Sequence, residues 1–161
     1  MTASSSVATG ARPLAAPTPR LNFQAVAPEL YKAQAGINAL LHESSLGIQL
    51  LELVFLRVSQ INGCAYCMDM HSSALVKAGV ETRKLHTLAG WRDSRFFDAR
   101  EGAALAWAEQ LTTLPSGAPA DATYEALKEH FDEHGIAELT MAVAVINAWN
   151  RLGVGMQPIL A

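Results

Sequence analysis

The sequence predicts an all-α domain of about six or seven helices. Strand signals are weak, because no segment sustains the alternation of apolar and polar residues that half-buried strands show. Ala, Leu and Glu, which favour helices, dominate most of the chain. At 161 residues, half of them hydrophobic, the chain is long enough for one domain with a substantial core. Such an apolar composition also predicts that an oligomer interface buries part of the surface.

The first part of the chain is predicted to contain an arm and two helices. Residues 1–20 are rich in Ala, Ser, Thr and Pro without periodicity, so we expect a flexible or extended arm before a helical domain at 21–161. The first helix is expected over residues 28–42, with Pro28 in its first turn. The second, over residues 46–62, is apolar on nearly every side, which predicts a position in the core or at a subunit interface.

The remaining helices are marked by residues that begin or end helices. The third is expected to begin at or just before Cys64 and to end near Gly79, because glycine suits the position after a helix. Asp98 and Glu101 form an Asp-x-x-Glu variant of the capping box and open a later helix. The other helices are expected over residues 81–91, 98–114, 121–131 and 136–153.

Charge and hydropathy exclude two classes of partner. The formal net charge is −3 and no basic stripe occurs, so we expect no nucleic-acid binding. No run of about 18 apolar residues occurs, so we expect no membrane span. The N-terminus lacks the pattern of a secretory signal, which predicts a cytoplasmic protein. In that compartment, closely spaced cysteines are more often catalytic or metal-binding than a permanent cross-link.

The segment NGCAYCMDMH, residues 62–71, contains both cysteines of the chain. On a helix, residues three and four apart share a face, so Cys64, Cys67 and His71 form one stripe. The two cysteines are then close enough for a disulfide. A helix N-terminus favours an anion, and His71 is placed to accept a proton from Cys67, so both features favour a reactive thiolate. Tyr66 could tune a thiol through its hydroxyl, although a packing role is the more common one for such a residue.

Glu52 is the one carboxylate in an otherwise apolar stretch of the second helix. Burying a carboxylate without a partner is costly, so Glu52 is expected to contact either Arg57 or His71. A carboxylate is also the usual group that orients a catalytic imidazole. Taken singly, Glu52 could be half of a structural ion pair and His71 an ordinary hydrogen-bonded residue.

Three interpretations of this motif stay open, of which a redox dithiol is favoured. A metal-binding helical module would use Cys64, Cys67 and His71, which supply three of the roughly four ligands that zinc needs. A catalytically silent oligomeric scaffold would simply pack its thiols. A c-type haem site needs histidine directly after the second cysteine, where Met68 stands. The redox interpretation requires no metal, flavin or haem cofactor.

Residues 52–79, ELVFLRVSQINGCAYCMDMHSSALVKAG, resemble the alkylhydroperoxidase D-like (AhpD-like) group of the carboxymuconolactone decarboxylase superfamily. The resemblance rests on Glu52, on Cys64-Ala-Tyr-Cys67 twelve residues later, and on His71. The later segments WRDSRFFDAREGAALAWAEQLT and INAWNRLG are similar to downstream parts of the same family. The resemblance therefore covers most of the chain from about residue 20, and it is specific as a combination.

The resemblance implies an all-helical domain that assembles into a homotrimer or homohexamer and acts as a peroxidase. It implies that Glu52 and His71 form a relay, that Cys67 takes the peroxide oxygen, and that Cys64 closes a Cys64–Cys67 disulfide. The implied partners are an organic hydroperoxide and an external dithiol, of the thioredoxin-like or dihydrolipoamide type. Some members have histidine where Tyr66 stands. The residues alone leave open which cysteine attacks first, because the first cysteine is the more acidic one in many Cys-x-x-Cys proteins.

Overall fold

The computed structural model describes residues 18–158, and most of the predicted arm, residues 1–17, lies outside this part. The described chain contains eight α-helices, six of them seven residues or longer, and no strand, so the predicted all-α class is confirmed. Within it, no helix is long and apolar enough to cross a membrane. The α-helices are α1 Phe23–Val26, α2 Pro28–His42, α3 Ile48–Asn62, α4 Ala65–Lys77, α5 Thr82–His86, α6 Ala99–Thr112, α7 Asp121–Lys128 and α8 Glu133–Met156, and short 3-10 segments span Leu88–Asp93 and Leu114–Ser116.

Several predicted helix boundaries agree with the structure, and the differences have local causes. The first helix is α2, with the predicted bounds, and Asp98 and Glu101 form the predicted capping box at the start of α6. The second helix begins two residues late, because Gly47 holds a positive φ of 79° that ends the preceding turn. The helix predicted at 81–91 is broken, since α5 stops at His86 and a 3-10 segment with a non-helical Gly90 follows.

The prediction that the last helix ends near Gly153 is wrong. Asp132 caps α8 by accepting a hydrogen bond from the Gly135 backbone N–H, so the helix begins at Glu133. It continues through Gly153 to Met156 and ends at Gln157, which has a left-handed conformation. The short helix α1, capped by the Asn22 side chain, was not predicted from the sequence.

Helix α3 forms the centre of the fold, packed against α4, α6 and α8. Its side chains enter two hydrophobic clusters. Leu51, Val54 and Phe55 pack in the larger cluster with α6 and α8. Leu53 and Leu56 pack on the opposite side with Leu75 of α4 and residues of the following turns. Most of the apolar surface of α3 is therefore buried within one chain, as the core interpretation of this helix predicts.

The turn between α3 and α4 is fixed by backbone and side-chain hydrogen bonds. Gly63 adopts the left-handed conformation that a Schellman motif requires, and the Cys64 backbone N–H donates to the Ser59 carbonyl. The Asn62 amide donates to the side chains of Asn147 and Asn150 on α8, and Asn150 donates to the Ser59 hydroxyl. These bonds hold the start of the cysteine motif against α8.

Candidate active site

The two cysteines lie at the first turn of α4 and form the disulfide that the resemblance implies. Cys64 is the N-cap residue, with extended backbone, and its Sγ accepts a hydrogen bond of 3.3 Å from the Cys67 backbone N–H. The Cα atoms are 5.3 Å apart, which is an ordinary separation for a disulfide. Both residues are buried, with 1% and 3% of their surfaces exposed. The Cys67 N–H is one of the first-turn donors that have no partner within the helix, and such a donor stabilises negative charge on the Cys64 sulfur when the disulfide is reduced.

His71 lies one turn after Cys67 on α4 and meets Glu52 of α3 across the helix interface. The distance from His71 Nδ1 to Glu52 Oε2 is 2.7 Å, and both side chains are about 95% buried. The Phe55 ring packs against the imidazole, with 5.1 Å between ring centroids. Within residues 18–158, no hydrogen-bond partner lies at His71 Nε2. A carboxylate at Nδ1 fixes the tautomer in which Nε2 is free to accept a proton.

Arg57, the other partner considered for Glu52, is bound elsewhere. Its Nε donates to Glu109 Oε1 of α6 at 2.7 Å, while Arg92 and Trp91 also donate to Glu109. Burial raises the pKa of Glu109, but these hydrogen bonds outweigh burial and lower the pKa overall. Arg57 therefore belongs to a structural ion pair, and Glu52 has His71 as its close partner.

Glu52 also has a second contact that sequence reasoning missed. His42, at the end of α2, places Nε2 3.5 Å from Glu52 Oε1, so the two carboxylate oxygens face two different histidines. The sequence assigned no role to His42. The only feature of the sequence that pointed to a second partner was the isolated carboxylate of Glu52, because a buried charge needs more than one polar contact.

A cavity of about 490 Å³ lies over Cys67 and His71. Its walls are mostly apolar, and they come from α2, α4, α8 and the segment that precedes α2. Tyr66 lines this cavity with 39% of its surface exposed, and within the described residues its hydroxyl makes no hydrogen bond to either cysteine. Cys64 does not reach the cavity. The larger apolar lining residues include Leu21, Phe23, Tyr31, Met70, Trp149 and Met156.

Gly153 of α8 packs directly on the disulfide. A Cβ atom added there would lie 2.7 Å from Cys64 Sγ and 3.3 Å from Cys67 Sγ. Real Cβ atoms essentially never lie as close as the first distance. Glycine is therefore needed at this position for close approach of the helix, and not to end it.

The geometry gives little support to a metal site. No group of three or more His, Cys, Asp or Glu side chains in residues 18–158 is placed to hold a metal ion. The two sulfurs are bonded to each other, and the His71 nitrogen nearest to a carboxylate is already hydrogen-bonded.

Known proteins of similar sequence place the chain in a family. The model of the carboxymuconolactone decarboxylase family matches residues 28–110. The chain belongs to this family. A relative in sequence, the uncharacterized protein YdfG of Bacillus subtilis (strain 168), is 35% identical over 137 residues, which are 85% of this chain and 93% of YdfG.

Solved structures give the branch of the superfamily. The chain matches the crystal structure of ATU0492 from Agrobacterium tumefaciens with a TM-score of 0.86 and 31% identity, over 89% of this chain and 99% of that one. ATU0492 is a protein of unknown function described as a candidate antioxidant defence protein AhpD. Together with the Cys-x-x-Cys motif, this likeness makes the chain an AhpD-like member of the superfamily.

The same fold also supports other chemistry. The debrominase Bmp8 has a TM-score of 0.77 to this chain at 22% identity, over 86% of this chain and 74% of Bmp8. At that identity the likeness concerns the fold alone, and a fold does not select a reaction. The function of this member of the family must therefore be argued from its own site.

Proposed function

We propose that the protein is a thiol-dependent peroxidase that reduces organic hydroperoxides with the Cys64–Cys67 dithiol. The observation that carries the proposal is the position of His71 between Glu52 and the cavity. Nδ1 is held by the carboxylate at 2.7 Å, and the ring lines the cavity together with Cys67. An imidazole oriented in this way acts as a base through Nε2 and is stabilised by the carboxylate once it is protonated.

The proposed cycle begins with the reduced dithiol. His71 takes the proton of the Cys67 thiol, and the thiolate attacks one peroxide oxygen while the O–O bond breaks. The alkoxide that leaves receives the proton from His71 and departs as an alcohol, and Cys67 becomes a sulfenic acid. The Cys64 sulfur then attacks the Cys67 sulfur, the S–O bond breaks, and the hydroxide takes the Cys64 proton to leave as water. An external dithiol reduces the disulfide by two electrons through thiol–disulfide exchange.

The cavity supports Cys67 as the cysteine that meets peroxide. Cys67 lines the cavity and Cys64 does not, so a molecule that enters encounters Cys67 first. The same access favours attack of the external dithiol on Cys67, with Cys64 as the leaving sulfur. The Cys67 backbone N–H, which donates to Cys64 Sγ, stabilises the thiolate released in that step.

The size and lining of the cavity favour an organic hydroperoxide over a small polar one. About 490 Å³ accommodates an alkyl or aryl group, and the apolar walls would contact it. Because both cysteines are buried, a slender dithiol of the dihydrolipoamide type reaches Cys67 more readily than a thioredoxin-like protein does. The predicted cytoplasmic location agrees with such a reductant and stays a prediction.

Single-turnover oxidation tests the proposal. The protein is reduced, freed of reductant, and mixed with cumene hydroperoxide in a stopped-flow instrument while thiol loss is recorded. We expect His71→Ala and Glu52→Gln to slow thiol loss by roughly 10²-fold or more, as loss of general base catalysis does. Cys67→Ser abolishes peroxide consumption, whereas Cys64→Ser allows one turnover and accumulates a sulfenic acid.

A matched control separates the relay from general effects of losing a buried carboxylate. Glu109→Gln removes another carboxylate with a side chain only 15% exposed, in a separate ion-pair network, and should oxidise at the parent rate. Persistence of both thiols in peroxide would favour the silent scaffold. Stoichiometric zinc that is lost in Cys64→Ser would favour the metal-binding module.

A further inference from the structure

The Glu52 carboxylate joins two histidines from two different helices. Oε2 faces His71 of α4 at 2.7 Å, and Oε1 faces His42 of α2 at 3.5 Å. We propose that His42 is a positioning residue, which holds the Glu52 carboxylate in the orientation that directs Oε2 at His71 Nδ1. This inference rests on the proposed function, because it concerns the relay that activates Cys67.

The need for a second contact follows from the freedom of a glutamate side chain. The terminal torsion of glutamate has a broad, roughly two-fold profile, so one hydrogen bond does not fix the plane of the carboxylate. Glu52 is one of the buried residues of α3, and only 3% of its surface is exposed. Water is therefore a poor source of that second contact, and a polar group supplied by the protein at Oε1 restrains the plane.

His42 has the properties that this role requires. Its separation of 3.5 Å from Oε1 is longer than a strong hydrogen bond, so the contact acts mainly through charge and dipole attraction. Asn38, one turn earlier on α2, lies beside the same Nε2 atom, with 3.4 Å between that atom and its amide nitrogen, so the amide must turn its oxygen toward Nε2 when Nε2 carries the proton that faces Glu52. The side chain of His42 is 40% exposed, whereas those of Glu52 and His71 are 4% and 6% exposed. His42 is thus the outer member of the series His42–Glu52–His71.

Two substitutions at position 42 separate positioning from mere packing. His42→Gln keeps an N–H donor at similar reach, while His42→Phe keeps a ring of similar size and removes the donor. His134→Phe is the matched control, because His134 forms a comparable pair with Glu138 on α8, at 3.1 Å, and is 75% exposed. His42→Ala replaces His42→Phe should the larger ring disturb α2.

The first readout is the NMR signal of the proton on His71 Nδ1. A proton shared with a carboxylate at 2.7 Å resonates far downfield and exchanges slowly. We expect this signal in the parent, His42→Gln and His134→Phe proteins, and its broadening or loss in His42→Phe.

The second readout is the rate of thiol loss with saturating cumene hydroperoxide. We expect His42→Phe to be slower by about tenfold, less than the roughly 10²-fold that a misplacement of 1 Å causes, and His42→Gln to recover most of the rate.

The outcomes distinguish this inference from the proposed function. An unchanged His71 signal and unchanged rate in His42→Phe, together with slow oxidation in Glu52→Gln, would overturn the role of His42 and leave the relay intact. If Glu52→Gln were instead oxidised at the parent rate, the catalytic relay of the proposed function would be refuted. The NMR signal of His42→Phe would then still decide whether His42 orients Glu52.

Discussion

Replacing Gly153 with alanine should destabilise the oxidised protein, although alanine is the better helix former. The added Cβ would lie 2.7 Å from Cys64 Sγ and 3.3 Å from Cys67 Sγ, so α8 or the first turn of α4 must move. Overpacking of this kind costs about 1–3 kcal/mol. The helix propensity of alanine over glycine offsets up to about 1 kcal/mol. With the full offset, we therefore predict a net loss of up to about 2 kcal/mol in the free energy of unfolding.

The matched control is Gly155→Ala, two residues later on the same helix. A Cβ atom added at Gly155 would have no other atom within 4 Å. The only expected effect on stability there is the gain in helix propensity of alanine over glycine. Thermal and urea unfolding of the oxidised proteins, followed by circular dichroism at 222 nm, measure the difference. For a chain of this length, 1 kcal/mol corresponds to about 2–4 °C in Tm. Gly153→Ala should melt below the parent, and Gly155→Ala at or slightly above it.

Equal stability of Gly153→Ala and Gly155→Ala would refute this prediction. That result would mean that the disulfide and α8 separate without cost, and that the close approach plays no part in holding the cysteine motif. A loss of stability in both variants would point to a general intolerance of alanine near the end of α8.

Three other predictions concern stability and assembly. Hydrogen bonds lower the pKa of Glu109 below its usual 4.5, so its contribution is present above that pH and is lost as the pH falls through the lowered pKa. Glu109→Gln should thus lower the free energy of unfolding, measured in urea, by about 1–3 kcal/mol at pH 7. The difference in stability between Glu109→Gln and the parent should shrink below pH 4.5. A difference that stays constant with pH would contradict the role of the ionised carboxylate. Asn150→Ala should cost about 1–3 kcal/mol in unfolding free energy, because it leaves buried polar partners unpaired, whereas the exposed Arg151→Ala should change it by less than about 0.5 kcal/mol. We predict that multi-angle light scattering will show a homotrimer or homohexamer. Leu40 on α2 is 70% exposed in the single chain, so an interface is expected to cover it, and Leu40→Lys should shift the protein toward smaller species. A monomeric parent protein would refute the assembly.

The helical class and the position of His71 beside Cys67 could be predicted from local sequence. Helix propensity and capping residues are local properties, and they were sufficient for α2 and for the start of α6. The cost of burying a lone carboxylate within an apolar helix limited the expected partners of Glu52 to Arg57 and His71, and the family resemblance implied the pairing with His71. Spacing along α4 likewise placed His71 on the same face as Cys67.

The contacts that depend on how helices pack could not be predicted in the same way. His42 meets Glu52 only because the end of α2 lies beside α3, and no spacing within one helix reveals this. Gly153 carried a misleading signal, because a glycine late in a helical pattern predicts the end of the helix as readily as close packing. The cavity wall before α2 was also missed, since Leu21 and Phe23 show no periodicity.

Residues 19–24 form one wall of the cavity and carry none of the reacting groups. Arg20 attaches this segment to the end of α8 by hydrogen bonds to the Met156 and Gly155 carbonyls, and none of the residues in α1 is buried. The core and the Glu52–His71 pair on α3 and α4 do not depend on this wall. Under the proposed function, we therefore expect substrate range to diverge, in evolution or by design, through exchange of this short exposed segment, while Glu52, His71 and the two cysteines stay in place.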